Sequence, residues 1–121
     1  MRKRNIKSIY SEEIYLLMGC DQHQFANYIN KNYPKYKYIN GTGADGHMEE
    51  PFDDDGVKIF YLWIDESNDK LVQRGAIIHE CTHMVFALLT HVGIPLSVEC
   101  DEAATYLMDD LTKQVFKFLK L

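Results

Sequence analysis

The sequence lacks long hydrophobic runs, an excess of basic residues and closely spaced cysteines. Its longest apolar stretches, residues 59–64 and 84–89, fall far short of the roughly 20 residues that a membrane-spanning helix needs. The chain has 13 Lys and Arg against 18 Asp and Glu, a net charge of −5, and such a field repels nucleic-acid phosphates. Cys20, Cys81 and Cys100 form no CxxC pair, which is typical of a reducing compartment. We therefore expect a cytoplasmic protein with no membrane span and no nucleic acid as its main partner.

The length and composition indicate one folded unit. Chains divide into separate hydrophobic cores at roughly twice 121 residues. The apolar share of 46% and the charged share of 26% are ordinary for globular proteins. We therefore expect a single domain over residues 1–121.

Hydrophobic periodicity predicts strands mainly in the first half of the chain. Residues 6–18 favour one or two strands, residues 22–32 a helix capped by Asp21, and residues 36–39 a short strand. Glycine-rich and acidic stretches at 41–47 and 51–56 predict loops. Residues 57–65 are apolar on both faces, as in a buried strand.

Two helices are predicted in the second half. The first runs from Asn68 or Asp69 to about His91 and is ended by Gly93, and the second runs from Asp101 to the C-terminus. The predicted order of elements is therefore strands, helix, strands, helix, helix.

The motif His79-Glu80-Cys81-Thr82-His83 lies in the middle of the long helix. Residues four apart in an α-helix differ by about 40° around the axis and about 6 Å along it, so the two imidazoles can converge on one ion. Glu80 projects beside them, where a carboxylate can accept a proton from water. The HExxH pattern therefore indicates a zinc site with a general base.

The alternative is that these are ordinary helix residues. Helical projection separates a main core face from the side that carries His79 and His83. The core face comprises Ile77, Ile78, Cys81, Met84, Val85, Leu88 and Val92, whereas the histidines share their side with Val72, Ala76 and Phe86. A helix that is apolar on two sides is expected to be covered on both, so the histidines should face a cleft.

Catalytic zinc usually has three protein ligands and an open position, so a third ligand is required. Glu102 lies 19 residues after His83, in the first turn of the next helix and off its core face. Glu99 and Cys100 are competing candidates, the latter because thiolate is a good zinc ligand. Tyr106, one turn beyond Glu102, is a candidate for stabilising an oxyanion, with a packing role as the alternative.

Residues 77–83 (IIHECTH) and 101–107 (DEAATYL) resemble the zincin metallopeptidases of the gluzincin type. More closely, they are similar to small HECxH proteins of phages and prophages that end in a DEAxxYL-like helix. The resemblance implies a single zincin-like α+β domain, in which a small mixed sheet packs on the HExxH helix and on a C-terminal helix. It also implies His79, His83 and Glu102 as zinc ligands and Glu80 as general base.

We therefore expect a zinc-dependent hydrolase, most simply a peptidase, acting on a peptide or protein. An extended peptide could add to an exposed sheet edge near residues 57–65. The alternative is a zinc-stabilised phage-type protein that binds and inhibits a host protein without catalysis. Glu80 favours the enzyme, because a purely structural zinc needs no base.

Overall fold

The computed structural model describes residues 1–36, 38 and 43–121. Strands and helices in these residues follow the predicted α+β order. The elements are β1 (Arg2–Lys7), β2 (Glu13–Met18), α1 (Gln22–Asn32), β3 (Gly46–Glu49), β4 (Phe60–Ile64), α2 (Lys70–Val92) and α3 (Asp101–Leu119). A short 3-10 turn over Val98–Cys100 leads into α3.

The strands form one mixed sheet in the order β1-β2-β4-β3. The β1–β2 and β4–β3 pairs are antiparallel, whereas β2 and β4 are parallel. All five residues of β4 are buried, which confirms the buried strand predicted within residues 57–65. Since β4 has a neighbour on each side, the edge strands are β1 and β3.

Both faces of the sheet are covered. One face packs on α2 and α3 through a core that includes Leu16, Leu62, Ile77, Leu88 and Leu111. The other face packs on α1 through Leu17, Phe25, Ile29, Tyr61 and Trp63. The sheet is therefore the middle layer of three.

Local capping fixes the ends of α1 and α2 where the sequence predicts them. The Asp21 carboxylate accepts from the Gln24 amide at 2.8 Å, and the Gln24 side chain accepts from the Asp21 amide at 2.9 Å, forming a capping box. Asp69 caps α2 by accepting from Val72 at 2.9 Å. Gly93 ends α2 in the left-handed conformation at φ 80°, which glycine adopts without a steric penalty.

Three sequence predictions about strands need correction or fall outside the described residues. The region 6–18 holds β2 and only the end of β1, because the polar residues of an exposed edge strand give no apolar signal. The loop predicted at 41–47 ends in strand β3, whose first residue is Gly46. The short strand predicted at 36–39 includes Lys37 and Ile39, which lie outside the described residues, and Tyr36 and Tyr38 are not in a strand.

The buried side of α2 is rotated relative to the prediction. Ile78 is 52% exposed, whereas Ala76 is buried against the sheet. Val72 and Phe86 are 36% and 49% exposed, so the expectation that the histidine side of the helix is also covered is wrong. Cys81 is buried, as predicted for a core cysteine.

None of the helices in the described ranges is both long enough and apolar enough to cross a bilayer.

Candidate metal and catalytic site

His79 and His83 converge on the solvent side of α2. Their Nε2 atoms are 3.3 Å apart, and their rings meet nearly edge to face at an interplanar angle of 77°. Two nitrogen ligands at zinc bond lengths of about 2.0–2.1 Å in a tetrahedral arrangement are separated by roughly 3.3–3.4 Å. The two imidazoles therefore fit adjacent positions of one tetrahedral zinc ion.

Glu80 points in another direction, into the protein. Only 10% of its side chain is exposed, compared with 69% for His79, and its Oε1 lies 3.9 Å from His79 Nε2. Burial raises the pKa of the Glu80 carboxyl, while His79, His83 and a hydrogen bond from the Met48 backbone amide act in the opposite direction. A partly desolvated carboxylate beside two imidazoles is suited to transferring a proton.

The register of β3 explains how Met48 reaches Glu80. Asp65 N–H donates to Asp45 O at 2.8 Å, and Ile59 N–H donates to Pro51 O at 2.8 Å. The odd-numbered residues of the β3 segment therefore direct their backbone groups toward β4. In an antiparallel ladder the alternate residues then direct their backbone groups to the free edge. Met48 is one of these residues, so its amide is directed to the free edge, and its hydrogen bond lowers the pKa of the Glu80 carboxyl.

Gly46 is the point where β3 comes closest to α2. A Cβ atom at this position would lie 2.9 Å from Glu80 Cγ and 2.9 Å from the backbone oxygen of Trp63. The Trp63 oxygen belongs to the central strand and cannot move aside. Any side chain at Gly46 would therefore displace either the Glu80 carboxylate or β3 itself.

A cleft of about 460 Å³ opens between the start of β3 and the turns of α2 that contain residues 75–80. Most of its lining residues are small, and the polar groups come from His79, Glu80 and Asp45. The lining comprises Gly43, Ala44, Asp45, Gly46, Gly75, Ala76, His79 and Glu80. A substrate group in this cleft would lie against His79 and Glu80 of the motif.

A polar link from α1 holds one wall of the cleft. The Gln22 side chain accepts from the Ala44 amide at 3.1 Å and lies 3.0 Å from His47 Nε2. The His47 ring packs against both Phe25 and Trp63, with ring centroids 6.3 Å and 6.1 Å away, and burial lowers the pKa of this imidazole. A neutral His47 can accept from the Gln22 amide group, so the link joins the cleft wall to the core on the α1 side.

Glu102 and Tyr106 are both exposed on α3, Tyr106 to 68%, and neither lines the cleft. Across the described ranges, no three His, Cys, Asp or Glu side chains are placed to hold one metal ion, and this includes Glu99 and Cys100. The histidine pair with Glu80 is therefore the part of the predicted site that the fold assembles.

Met48, Gly46 and Gln22 were not predicted from the sequence. Met48 acts through its backbone, so its side chain carries no signal. In the sequence, Gly46 is one of several glycines in a predicted loop, and nothing there distinguishes it from the others. Gln22 appeared only as the first residue of a helix, and its contacts depend on segments 22 and 25 residues away.

No family model, curated protein or solved structure matches the chain.

Proposed function

We propose that the protein is a zinc-dependent hydrolase that cleaves peptides. The observation that carries this proposal is the 3.3 Å separation of His79 Nε2 and His83 Nε2, with the buried Glu80 carboxylate 3.9 Å from His79. Spacing of this kind suits zinc, and a carboxylate in this position can serve as the general base of a hydrolysis.

We propose Glu102 as the third zinc ligand. It is exposed in the first turn of α3, and α3 packs directly on α2. Because its side chain is not held in the core, its carboxylate is free to change rotamer. Tyr106 follows one turn later on the same helix and is proposed to stabilise the oxyanion from there.

In this mechanism Glu80 moves the proton. When bound, zinc supplies a Lewis acid that polarises the scissile carbonyl. Glu80 accepts a proton from the attacking water and then donates it to the leaving amine. The Met48 amide orients the Glu80 carboxylate during both transfers.

The peptide is proposed to lie along β3 instead of along residues 57–65. Both sides of β4 are already paired within the sheet, so no edge is free there. The outward carbonyls of Gly46 and Met48 can accept from an extended peptide that passes the cleft. A peptide in this position would place its backbone next to Glu80.

A second candidate function is a zinc-stabilised binding protein that blocks another protein without catalysis. It is favoured by apolar residues that are exposed on α2. Leu71 is 77%, Ile78 52% and Phe86 49% exposed, with spacing that places them along one stripe. If Glu80→Ala retained both the zinc and the biological effect, the binding protein would be the better account.

Zinc content tests the site directly. Wild type is expected to carry about one zinc per chain, whereas His79→Ala and His83→Ala should lose it, because two imidazoles supply most of the affinity. The measurement is metal analysis of purified protein, alongside a peptide-library cleavage assay with and without a chelator. His91→Ala is the matched control, since His91 lies on the same helix but pairs with Glu12 at 3.3 Å. Full zinc retention in both motif variants would refute the site.

The third ligand is tested by comparing three variants. Glu102→Gln should weaken zinc retention by at least tenfold, on the order of the loss caused by removing a ligand contact. Glu99→Gln and Cys100→Ser are the controls and should retain wild-type affinity in a chelator competition. If Cys100→Ser releases the metal while Glu102→Gln does not, the site is of the His2Cys type.

A further inference from the structure

A second groove lies away from the motif, between the end of α1 and the turn that precedes β4. It encloses about 300 Å³. Three aromatic residues, Tyr33, Tyr36 and Phe52, and two carboxylates, Asp53 and Asp54, contribute to its lining. Lys35 also lines it and is its basic residue.

The aromatic walls are held in place by the core. Tyr33 OH lies 2.6 Å from Tyr61 OH, and Tyr36 OH donates to Glu49 Oε2 at 2.6 Å. These hydroxyls are engaged with the body of the protein, so the two rings are fixed before any ligand arrives. A ligand therefore meets preorganised aromatic surface.

Phe52 and Asp53 favour a cation in this groove. The Phe52 ring is 57% exposed and already has the Lys58 ammonium 5.1 Å from its centroid, which is the geometry of a cation–π contact. Asp53 Oδ1 accepts from the amides of Asp55 and Val57 at 2.9 Å, and these two bonds orient the carboxylate.

The charge of residues 38–57, which supply part of the groove, also favours a bound cation. Residues 38–57 contain six carboxylates and no Lys or Arg. The rest of the chain has all 13 Lys and Arg against 12 Asp and Glu, so the six carboxylates of this segment exceed the net charge of −5, while Lys35 and Lys58, just outside it, lie at the groove. Its field attracts cations to the groove.

We propose that the groove binds the side chain of a Lys or Arg residue from a peptide or protein partner. The charged end lies between the Asp53 and Asp54 carboxylates, and the aliphatic part lies against the rings of Tyr33, Tyr36 and Phe52. The groove contains none of the motif residues. The proposal therefore stands whether or not the protein is a hydrolase.

The test is an NMR titration of the ¹⁵N-labelled full chain with N-acetyl-arginine amide, in chelator so that bound metal plays no part. Saturable shifts are expected in the amides of Phe52, Asp53 and Asp54. N-acetyl-citrulline amide has nearly the same shape without the charge and should bind at least about fivefold more weakly. Equal affinity for the two probes would overturn the proposal.

Four variants separate this groove from the general negative field. Asp54→Asn and Asp53→Asn should each weaken arginine binding about threefold or more, because each removes a charge and preserves shape. Asp55→Asn removes the same charge next to the groove without lining it and should weaken binding clearly less than Asp54→Asn does. Lys35→Gln should tighten binding. If Asp55→Asn weakened binding as much as Asp54→Asn, the groove would have no specific role.

His79→Ala distinguishes failure of this proposal from failure of the hydrolase. It should leave arginine binding at the wild-type level. If arginine binding fell with His79→Ala, the probe would be occupying the motif cleft and the groove proposal would be wrong.

Discussion

At the scale of single residues, neighbouring carboxylates Glu49 and Glu80 do different things. Glu80 faces the cleft and is held by the Met48 amide, whereas Glu49 faces the α1 side of β3 and accepts from Tyr36 OH at 2.6 Å. Burial raises the pKa of both. Their separate partners allow one to serve the proposed chemistry and the other to anchor the end of α1.

Glu49→Gln tests the energetic consequence of this burial. Burial raises the pKa of Glu49, and although the Tyr36 hydrogen bond lowers it, Glu50 and Glu80 raise it further. The folded protein then binds this proton more tightly than the unfolded chain, so the stability linked to Glu49 is present below about pH 4 and is lost as pH rises through the folded-state pKa. Glutamine has no charge to bury and can still accept from Tyr36.

The free energy of unfolding of Glu49→Gln, relative to wild type, should therefore rise between about pH 4 and pH 7. Urea denaturation at several pH values measures it. Glu13→Gln, at an exposed position of β2, is the control and should show no such trend. A difference between Glu49→Gln and wild type that does not vary with pH would contradict this account of Glu49.

The residues of the motif were predictable because their geometry is local. The spacing of His79 and His83 in a helix determines that their rings meet, whatever the rest of the chain does. The third ligand is a different problem, because it depends on how α3 is placed against α2. For that reason spacing alone could select Glu102 without placing its side chain.

At the scale of elements, β3 connects the sheet to the site. It is four residues long, begins with glycine and lies at an edge, so neither periodicity nor apolar content marks it. Its existence depends on pairing with β4, in which Gly46 lies opposite Ile64 and Glu49 opposite Tyr61. In contrast, α1 and α2 carry their own caps, which explains why their limits could be predicted from the sequence.

Gly46→Ala tests whether β3 positions Glu80. The added methyl group would lie 2.9 Å from Glu80 Cγ and from the Trp63 oxygen, so we expect β3 or Glu80 to shift. The expected result is a loss of stability of about 1–3 kcal/mol and a loss of turnover, with zinc content preserved. Denaturation, metal analysis and a cleavage assay measure the three effects.

Gly75→Ala is the matched control for Gly46→Ala. It lines the same cleft, but an added Cβ would have no neighbour within 4 Å among the described residues. Because Gly75 lies inside α2, alanine should stabilise the protein by about 0.5–1 kcal/mol. If both variants destabilised the protein equally, close approach at Gly46 would not be the cause.

At the scale of the whole molecule, each of the three layers contributes a different part of the candidate site. The α2 and α3 layer carries the motif, the sheet supplies the edge strand that holds Glu80, and the α1 layer supports the cleft wall through Gln22. The α+β class was expected from the resemblance of the motif segments, whereas the position of α1 on the opposite face of the sheet was not. Which strand lies at the edge beside the motif was not, because strand order depends on pairing between distant segments.

The charge distribution also belongs to this scale. Residues 43–57, which include β3, hold six carboxylates and contribute lining residues to both the cleft and the aromatic groove. A basic peptide running along β3 would therefore experience one continuous negative field. The proposed substrate strand and the proposed cation groove are compatible with a single ligand.

The most direct test of the central claim is peptide turnover by zinc-loaded Glu80→Gln, compared with wild type at equal zinc content. Glutamine preserves the shape and removes the proton acceptor, so the fold and the bound zinc should survive. Turnover should fall by about 10²–10⁴-fold while substrate affinity stays close to that of wild type. An unchanged turnover in Glu80→Gln would show that hydrolysis does not depend on this site and would contradict the account.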